Sequence, residues 1–471
     1  MTTTGEQAVI DNELPLPFGV RAVSGAPLPD FDVNALRSIG VDPTAVLERQ
    51  EPKATYRAIE SVDPNNLWEA GWGVIWPAGI SQEIIDALQP LLDLRKKQSG
   101  TLYREFPDYT FGQSARDWLN ARGVTLAVVD PKLGVPLYLL IVGGPTQVSF
   151  EFQYLLDSYW NVGRLDFDTP AEYAAYAESV VKYERDAAVP TTKSSALWIT
   201  RNAADRATGL LHNQVGVPLA KGDGANQPLG AEKGFKLGEF LGDLATRGNL
   251  ESILRGDIPT GRPSLLFTGS HGMAFDASDK AAQREGQGAL LSQAWTRGQP
   301  ATPDQYLCAS DLPDDLRTDG MIHFMFACYG GGCPARDTYE RRDGKPAPLM
   351  DAPIVARLPQ RLLAKGALAV VAHIDRAWAF SFQTDRGKPQ VQEFRNVLEK
   401  LLSGDRIGEA TDTFNMRWSV LGSDLQMLVE QNEFAPVPLP NLANRLVARD
   451  DARNYLVLGD PAVRLRVDAM A

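Results

Sequence analysis

Ser264-Leu-Leu-Phe-Thr-Gly-Ser-His-Gly272 and Met321-Ile-His-Phe-Met-Phe-Ala-Cys-Tyr-Gly-Gly-Gly332 are the two stretches that decide the fold. Each is an apolar, strand-like run that ends on a reactive side chain, His271 or Cys328, followed closely by glycine. Strands apolar along their whole length, rather than alternating, belong to a parallel sheet covered on both faces. The carboxyl ends of such strands open onto one crevice. A thiol and an imidazole delivered there are the two parts that cysteine nucleophilic catalysis requires.

The remaining histidines and cysteines compete poorly. His323 lies inside the Cys328 strand, His373 inside another apolar run, and His212 after a helical leucine pair. These read as core or surface histidines. Cys308 sits in the polar context Gln305-Tyr-Leu-Cys-Ala-Ser-Asp311, and Cys333 precedes a proline beyond the glycines. Neither is expected to end a strand.

Working outward, residues 1–52 are rich in Pro, Gly and Asp and predict an extended arm, with a short helical patch near Val33–Ile39. Residues 53–190 predict a smaller α/β subdomain. Its strands are Trp72–Trp76, Val124–Val129 and Leu137–Gly143, with a helix from Ser81 to Lys97. Thr169-Pro-Ala-Glu172 is a capping box with proline at the first helical position, opening a helix over 170–186. Residues 191–471 predict the catalytic domain. Strands are expected at Ala196–Thr200, Leu265–Thr268, Ile322–Ala327 and Leu368–Ala372, and helices near 237–246, 352–365 and 390–403. The Gly-rich stretch 215–236 and the charged stretch 333–352 read as loops, the second as a substrate-facing wall or a processing site. The alternation of strands and helices gives an α/β fold with a mostly parallel sheet flanked by helices.

The chain has 471 residues, 44% hydrophobic and 23% charged, an ordinary globular composition. A net charge of −12 argues against nucleic acid or an anionic membrane as the main partner. Three cysteines are no disulfide framework, so a reducing compartment is expected. Met1-Thr-Thr-Thr-Gly-Glu-Gln7 has neither a basic nor an apolar signal region, and no apolar run is long enough to span a bilayer. These features predict a cytoplasmic protein.

Several segments together resemble the catalytic region of the gingipain-type cysteine peptidases, relatives of the caspases, in which the histidine lies about 50 residues before the cysteine. Phe267-Thr-Gly-Ser-His-Gly272 is similar to that family's strand and Gly-His-Gly, with Ser270 in place of the first glycine. Phe326-Ala-Cys-Tyr-Gly330 resembles its nucleophile turn, and Leu368–Trp378 the strand and aromatic that wall its S1 pocket. Val162-Gly-Arg164 with Tyr173–Arg185 resembles the helix joining its subdomains, and Leu456–Leu465 its closing Gly-Asp-Pro strand. The intracellular CHAT peptidases are a close alternative label. The resemblance implies a caspase-like (caspase–hemoglobinase) architecture and peptide-bond hydrolysis through an acyl-enzyme. It implies no metal or cofactor, a protein or peptide substrate, and room for a regulatory partner protein.

At residue level, Cys328 is expected to attack the scissile carbonyl and His271 to carry the proton to the leaving amine. The backbone N–H groups of Cys328 and Gly272 are implied as oxyanion donors. Asp157 is the candidate for orienting the imidazole. Trp378 is a candidate wall of the S1 pocket, and Asp375, Asp157 or Asp276 a partner for a basic P1 side chain. The rival readings are a catalytically inactive scaffold or sensor, another acyl-transfer enzyme on the same dyad, and a binding module with Cys328 buried.

Overall fold

The computed structural model describes residues 16–29, 58–276, 278–343, 345–384 and 387–470. The expected helical patch at Val33–Ile39 lies outside these residues, as does most of the N-terminal arm.

Ten strands among the described residues form one sheet. In chain order they are β1 (Trp72–Pro77), β2 (Tyr103–Tyr109), β3 (Tyr138–Val142), β4 (Asn161–Leu165), β5 (Ser194–Ile199), β6 (Lys236–Leu241), β7 (Leu265–Gly269), β8 (Ile322–Phe326), β9 (Ala369–His373) and β10 (Tyr455–Gly459). Their spatial order is β2-β1-β3-β4-β10-β9-β8-β7-β5-β6. Every neighbouring pair is parallel except β9 and β10. The sheet is therefore two parallel blocks of opposite direction. β10 is the seam: it runs parallel to β4 and antiparallel to β9.

Residues of β3, β5, β7, β8 and β9 are buried throughout, and most of each strand is apolar, as a strand covered on both faces requires. Helices α1 (Gln82–Ser99), α2 (Phe150–Asp157), α3 (Pro170–Arg185), α4 (Arg357–Ala364), α5 (Gln392–Leu402), α6 (Asp412–Phe434) and α7 (Leu439–Arg453) flank the sheet. The capping box at Thr169 and Glu172 forms as the sequence predicts.

The seam is tied by charge. Asp460, just after β10, accepts from Trp72 Nε1 at 2.9 Å and from Arg95 Nε at 2.6 Å, and Arg95 also pairs with Glu184 at 2.6 Å. Arg95 and Asp460 are fully buried. A buried ion pair contributes little unless its remaining hydrogen bonds are made. Tyr176 completes the join: its hydroxyl donates to Leu368 O at 2.8 Å and accepts from Asp460 N at 2.7 Å.

Several expectations are corrected. Val124–Val129 is not a strand; among the described residues its one ladder contact is a bridge from Val129 to Ala58. The sheet uses Tyr103–Tyr109 instead, a polar edge strand with three of its seven residues exposed. Residues 237–246 are not a helix but the other edge strand and a short turn. The stretch 215–236 begins helically, through Lys221. The stretch 333–352 holds a hairpin, Arg336–Arg342 with Lys345–Pro348. Cys333 lies in a two-residue strand paired with Ile354–Val355.

Candidate active site

Within the second block the strands in chain order, β5 to β9, lie in the spatial order 2-1-3-4-5, so the order reverses between β5 and β7. In open α/β sheets, ligands bind at that reversal, outside the carboxyl ends of the strands. His271 follows β7 and Cys328 follows β8, whose neighbouring ends are in register from Leu265 with Ile322 to Gly269 with Phe326. The strand that flanks the reversal from the other side, β5, leads into Asp205.

Asp205 supplies what the sequence left open. Its Oδ2 is 2.9 Å from His271 Nε2 and accepts from Thr208 N at 2.9 Å and Thr208 Oγ1 at 2.7 Å. It is also the N-cap of the short helix Arg206–Leu211, so its rotamer is fixed by the cap. Burial alone pushes this carboxyl up. The His271 charge and its hydrogen bond, with those from Thr208, more than offset that and hold it well below the usual carboxylate range. An ionised Asp205 can only accept, so Nε2 carries the hydrogen between them. Nδ1, buried and without a hydrogen-bond partner among the described residues, is then the basic one.

Asp157, the residue expected to orient the ring, sits elsewhere. It ends α2, and its Oδ1 accepts from Val162 N at 3.2 Å, which fixes the entry to β4.

Cys328 lies in a tight turn after β8. Tyr329 beside it has φ 59°, a left-handed conformation that costs a non-glycine residue about 1–3 kcal/mol. The turn is held from the next strand, with Tyr329 N donating to Asp375 O at 2.9 Å and Gly331 N to His373 O at 2.8 Å. Gly272 is required by proximity. A Cβ there would stand 1.8 Å from the carbonyl oxygen of Cys328, so only glycine lets the two turns approach.

The two backbone N–H groups proposed as oxyanion donors converge. Cys328 N and Gly272 N both donate, each at 2.9 Å, to one oxygen, the carbonyl of Phe18. Phe18 N donates in turn to Ala377 O at 2.9 Å. The Cys328 thiol lies against the same residue, with Ala377 N donating to Sγ at 3.2 Å. Residues 17–21 thus cover the thiol. Burial pushes the Cys328 thiol well above its ordinary range in this covered state.

The three residues proposed for substrate recognition are dispersed. The Trp378 ring is fully buried in a separate apolar cluster with Tyr339, Leu421 and Val447, and it is its backbone that bridges to Pro17. Asp375 is buried behind the Cys328 turn, where desolvation, aided by nearby Asp337, raises its carboxyl to about 7. Asp276 is exposed and bonds Ser278 in a turn.

No cluster of His, Cys, Asp and Glu among the described residues is arranged to hold a metal ion. No helix among them is long and apolar enough to cross a membrane. A thiol, an imidazole hydrogen-bonded to a carboxylate and two convergent amide donors are groups from which an acyl-transfer site can be built.

No family model matches the chain, and no curated protein is significantly similar to it. Among solved structures, it is similar to one described as a protease, 13% identical with a TM-score of 0.47, covering 84% of this chain and 78% of the other. It is also similar to a complex of the pro- and mature domains of RgpB from Porphyromonas gingivalis, at 13% identity, 84% and 80% coverage and a TM-score of 0.45. A third is the Arg-specific cysteine proteinase gingipain R (RgpB), at 12% identity, 85% and 79% coverage and a TM-score of 0.45.

Proposed function

We propose that the chain is a cysteine endopeptidase of caspase-like architecture. In this reading residues 53–190 form a non-catalytic subdomain and 191–471 the catalytic one. The observation that carries it is the convergence of Cys328 N and Gly272 N on a single carbonyl oxygen beside the thiol, with His271 fixed by Asp205. Cys328 attacks as the thiolate, and the negative oxygen forms where the Phe18 carbonyl oxygen now sits, between two donors already in place. His271 Nδ1 takes the thiol proton and gives it to the departing amine. Water then opens the thioester with His271 as the base. Asp205 touches no reacting atom; it is a positioning residue that keeps the proton on Nε2 and supports the imidazolium. The three cysteines are unpaired, which suits a protease working in a reducing compartment. Regulated action in stress or anti-phage defence belongs to the same proposal, by family analogy.

The test is hydrolysis of a broad peptide library by the full chain beside Cys328→Ala and His271→Ala. Each variant should lose at least about 1000-fold in kcat/KM while melting within a few degrees of the parent. Cys308→Ala and Cys333→Ala should remain active. Undiminished hydrolysis by Cys328→Ala would end the proposal.

A further inference from the structure

We propose that residues 17–21 lie in the cleft as a substrate does, with Phe18 in the P1 position, so that the enzyme cuts after large aromatic side chains and its own Phe18–Gly19 bond is the first it cuts. This rests on the peptidase reading above.

The backbone contacts that Pro17, Phe18 and Gly19–Arg21 make with the cleft are those a substrate would make. The Phe18 carbonyl occupies the site of the two converging amides, and Phe18 N is held by Ala377 O. Pro17, just before the bond, bridges antiparallel to Trp378, beyond the end of β9. After the bond, Gly19–Arg21 pairs in parallel with Gly272–Ala274, the strand that follows His271. Gly19 is pressed on the nucleophile: a Cβ there would stand 2.8 Å from Cys328 Cβ and 3.0 Å from Sγ.

The side chain of Phe18 defines the pocket. It is fully buried, with its ring 4.8 Å from Phe326, 5.6 Å from Phe382 and 6.0 Å from His271, centroid to centroid. The first two are edge-to-face contacts, the geometry aromatic pairs favour. A pocket walled by phenylalanines rejects a charged P1 side chain, because burying an unpaired ammonium or guanidinium is costly. Asp375, Asp157 and Asp276, the carboxylates considered for a basic P1, are each engaged elsewhere.

The segment is also fastened beyond the cleft. Val20 packs with Met273, Leu291 and Trp295. Arg21 pairs with Glu340 on the hairpin at 2.8 Å, and Arg376 donates to Pro29 O at 2.5 Å. These contacts block outside substrates until the bond is cut. In that step the Cys328 sulfur bonds the Phe18 carbonyl carbon as the C–N bond to Gly19 breaks, and the Gly19 nitrogen receives the proton from His271. Water then attacks the thioester, its proton passes to His271, and the Phe18 carboxylate leaves with Cys328 regenerated.

The full chain is incubated and its N-termini are mapped by mass spectrometry, and a peptide library varied at P1 is profiled in parallel. A new N-terminus at Gly19, absent from Cys328→Ala, is expected. So is a preference for Phe over Ala at P1 of at least about 100-fold. Phe18→Ala should remain uncut at this bond, and its cleft should therefore stay covered, so that it cleaves outside peptides far more slowly than the parent does after its lag. Arg21→Ala removes a fastening without touching the pocket and should shorten that lag. An intact Phe18–Gly19 bond in a preparation that hydrolyses peptides overturns the inference and leaves the peptidase reading standing. So does a P1 preference for Arg, Lys or Asp with Phe refused. Absence of all hydrolysis and of Cys328 alkylation in the parent, Phe18→Ala and Arg21→Ala removes both.

Discussion

Two buried histidines each bond a carboxylate through Nε2: His271 to Asp205 at 2.9 Å and His373 to Asp451 at 3.1 Å. Both leave Nδ1 without a hydrogen bond among the described residues. Both carboxylates take two further donors, Thr208 N and Oγ1 on Asp205, Trp378 N and Ser381 Oγ on Asp451. Location separates them. His271 lies past the end of β7 beside the backbone of Phe18 and the turn of Cys328. His373 is the last residue of β9, with its ring 3.9 Å from that of Tyr455 and 5.6 Å from that of Phe326. Asp451 there ties the stretch 373–381, which includes Ala377, to α7. One pair faces the cleft and the other builds its wall. A histidine–carboxylate contact is therefore informative only together with what lies beyond the second ring nitrogen.

The largest effect that sharpens this contrast is expected from Asp205→Asn. Asparagine caps a helix as well as aspartate does, so the fold should persist. The imidazole loses its fixed tautomer, and kcat/KM on a cleavable peptide should fall by about 100- to 10,000-fold. Asp451→Asn should do the reverse. It should lower stability by about 1–3 kcal/mol, seen as a lower Tm, with kcat/KM on that peptide changed far less than by Asp205→Asn. Equal loss of rate in both variants at unchanged Tm would erase the distinction.

The smallest effect concerns pH. Asp375 is raised to about 7 in the fold, chiefly by burial. A carboxyl raised on folding holds its proton longer in the native state than in the unfolded one. Its contribution is therefore fully present below the unfolded value, about 4, and is lost as pH rises toward 7. Asp375→Asn should flatten the decline of Tm between pH 4 and 7. An unchanged slope would show that Asp375 does not titrate in that range.

The strands that end at His271 and Cys328 were legible because a fully buried parallel strand must be apolar throughout, and glycine marks its exit. Asp205 was not. Five polar or small residues, Thr200–Ala204, separate it from β5, and its contact spans 66 residues of sequence. The signal that was present is positional: a third strand end in the same block, followed by an aspartate with the N-cap spacing Asp205-Arg-Ala-Thr208. The edge strands misled for a related reason. Tyr103–Tyr109 carries Arg104, Glu105 and Asp108, as an exposed edge tolerates, whereas Val124–Val129 has β-branched residues but almost no partner. Phe18 gave no periodic signal, because a segment lying in a cleft obeys the cleft's spacing and not its own.

The seam strand has a consequence for synthesis. Until residues 455–460 leave the ribosome, β4 and β9 each present an open edge, and Trp72 and Arg95 wait for a carboxylate 388 and 365 residues away. Contacts of such sequence separation are slow to form and leave partly built sheets prone to pairing with other chains. The two blocks can each gather locally, but the wall that carries Ala377 is braced only when its last neighbour arrives. The other nine strands of the sheet are therefore all made before the stretch that covers the Cys328 thiol from the Ala377 side is fixed.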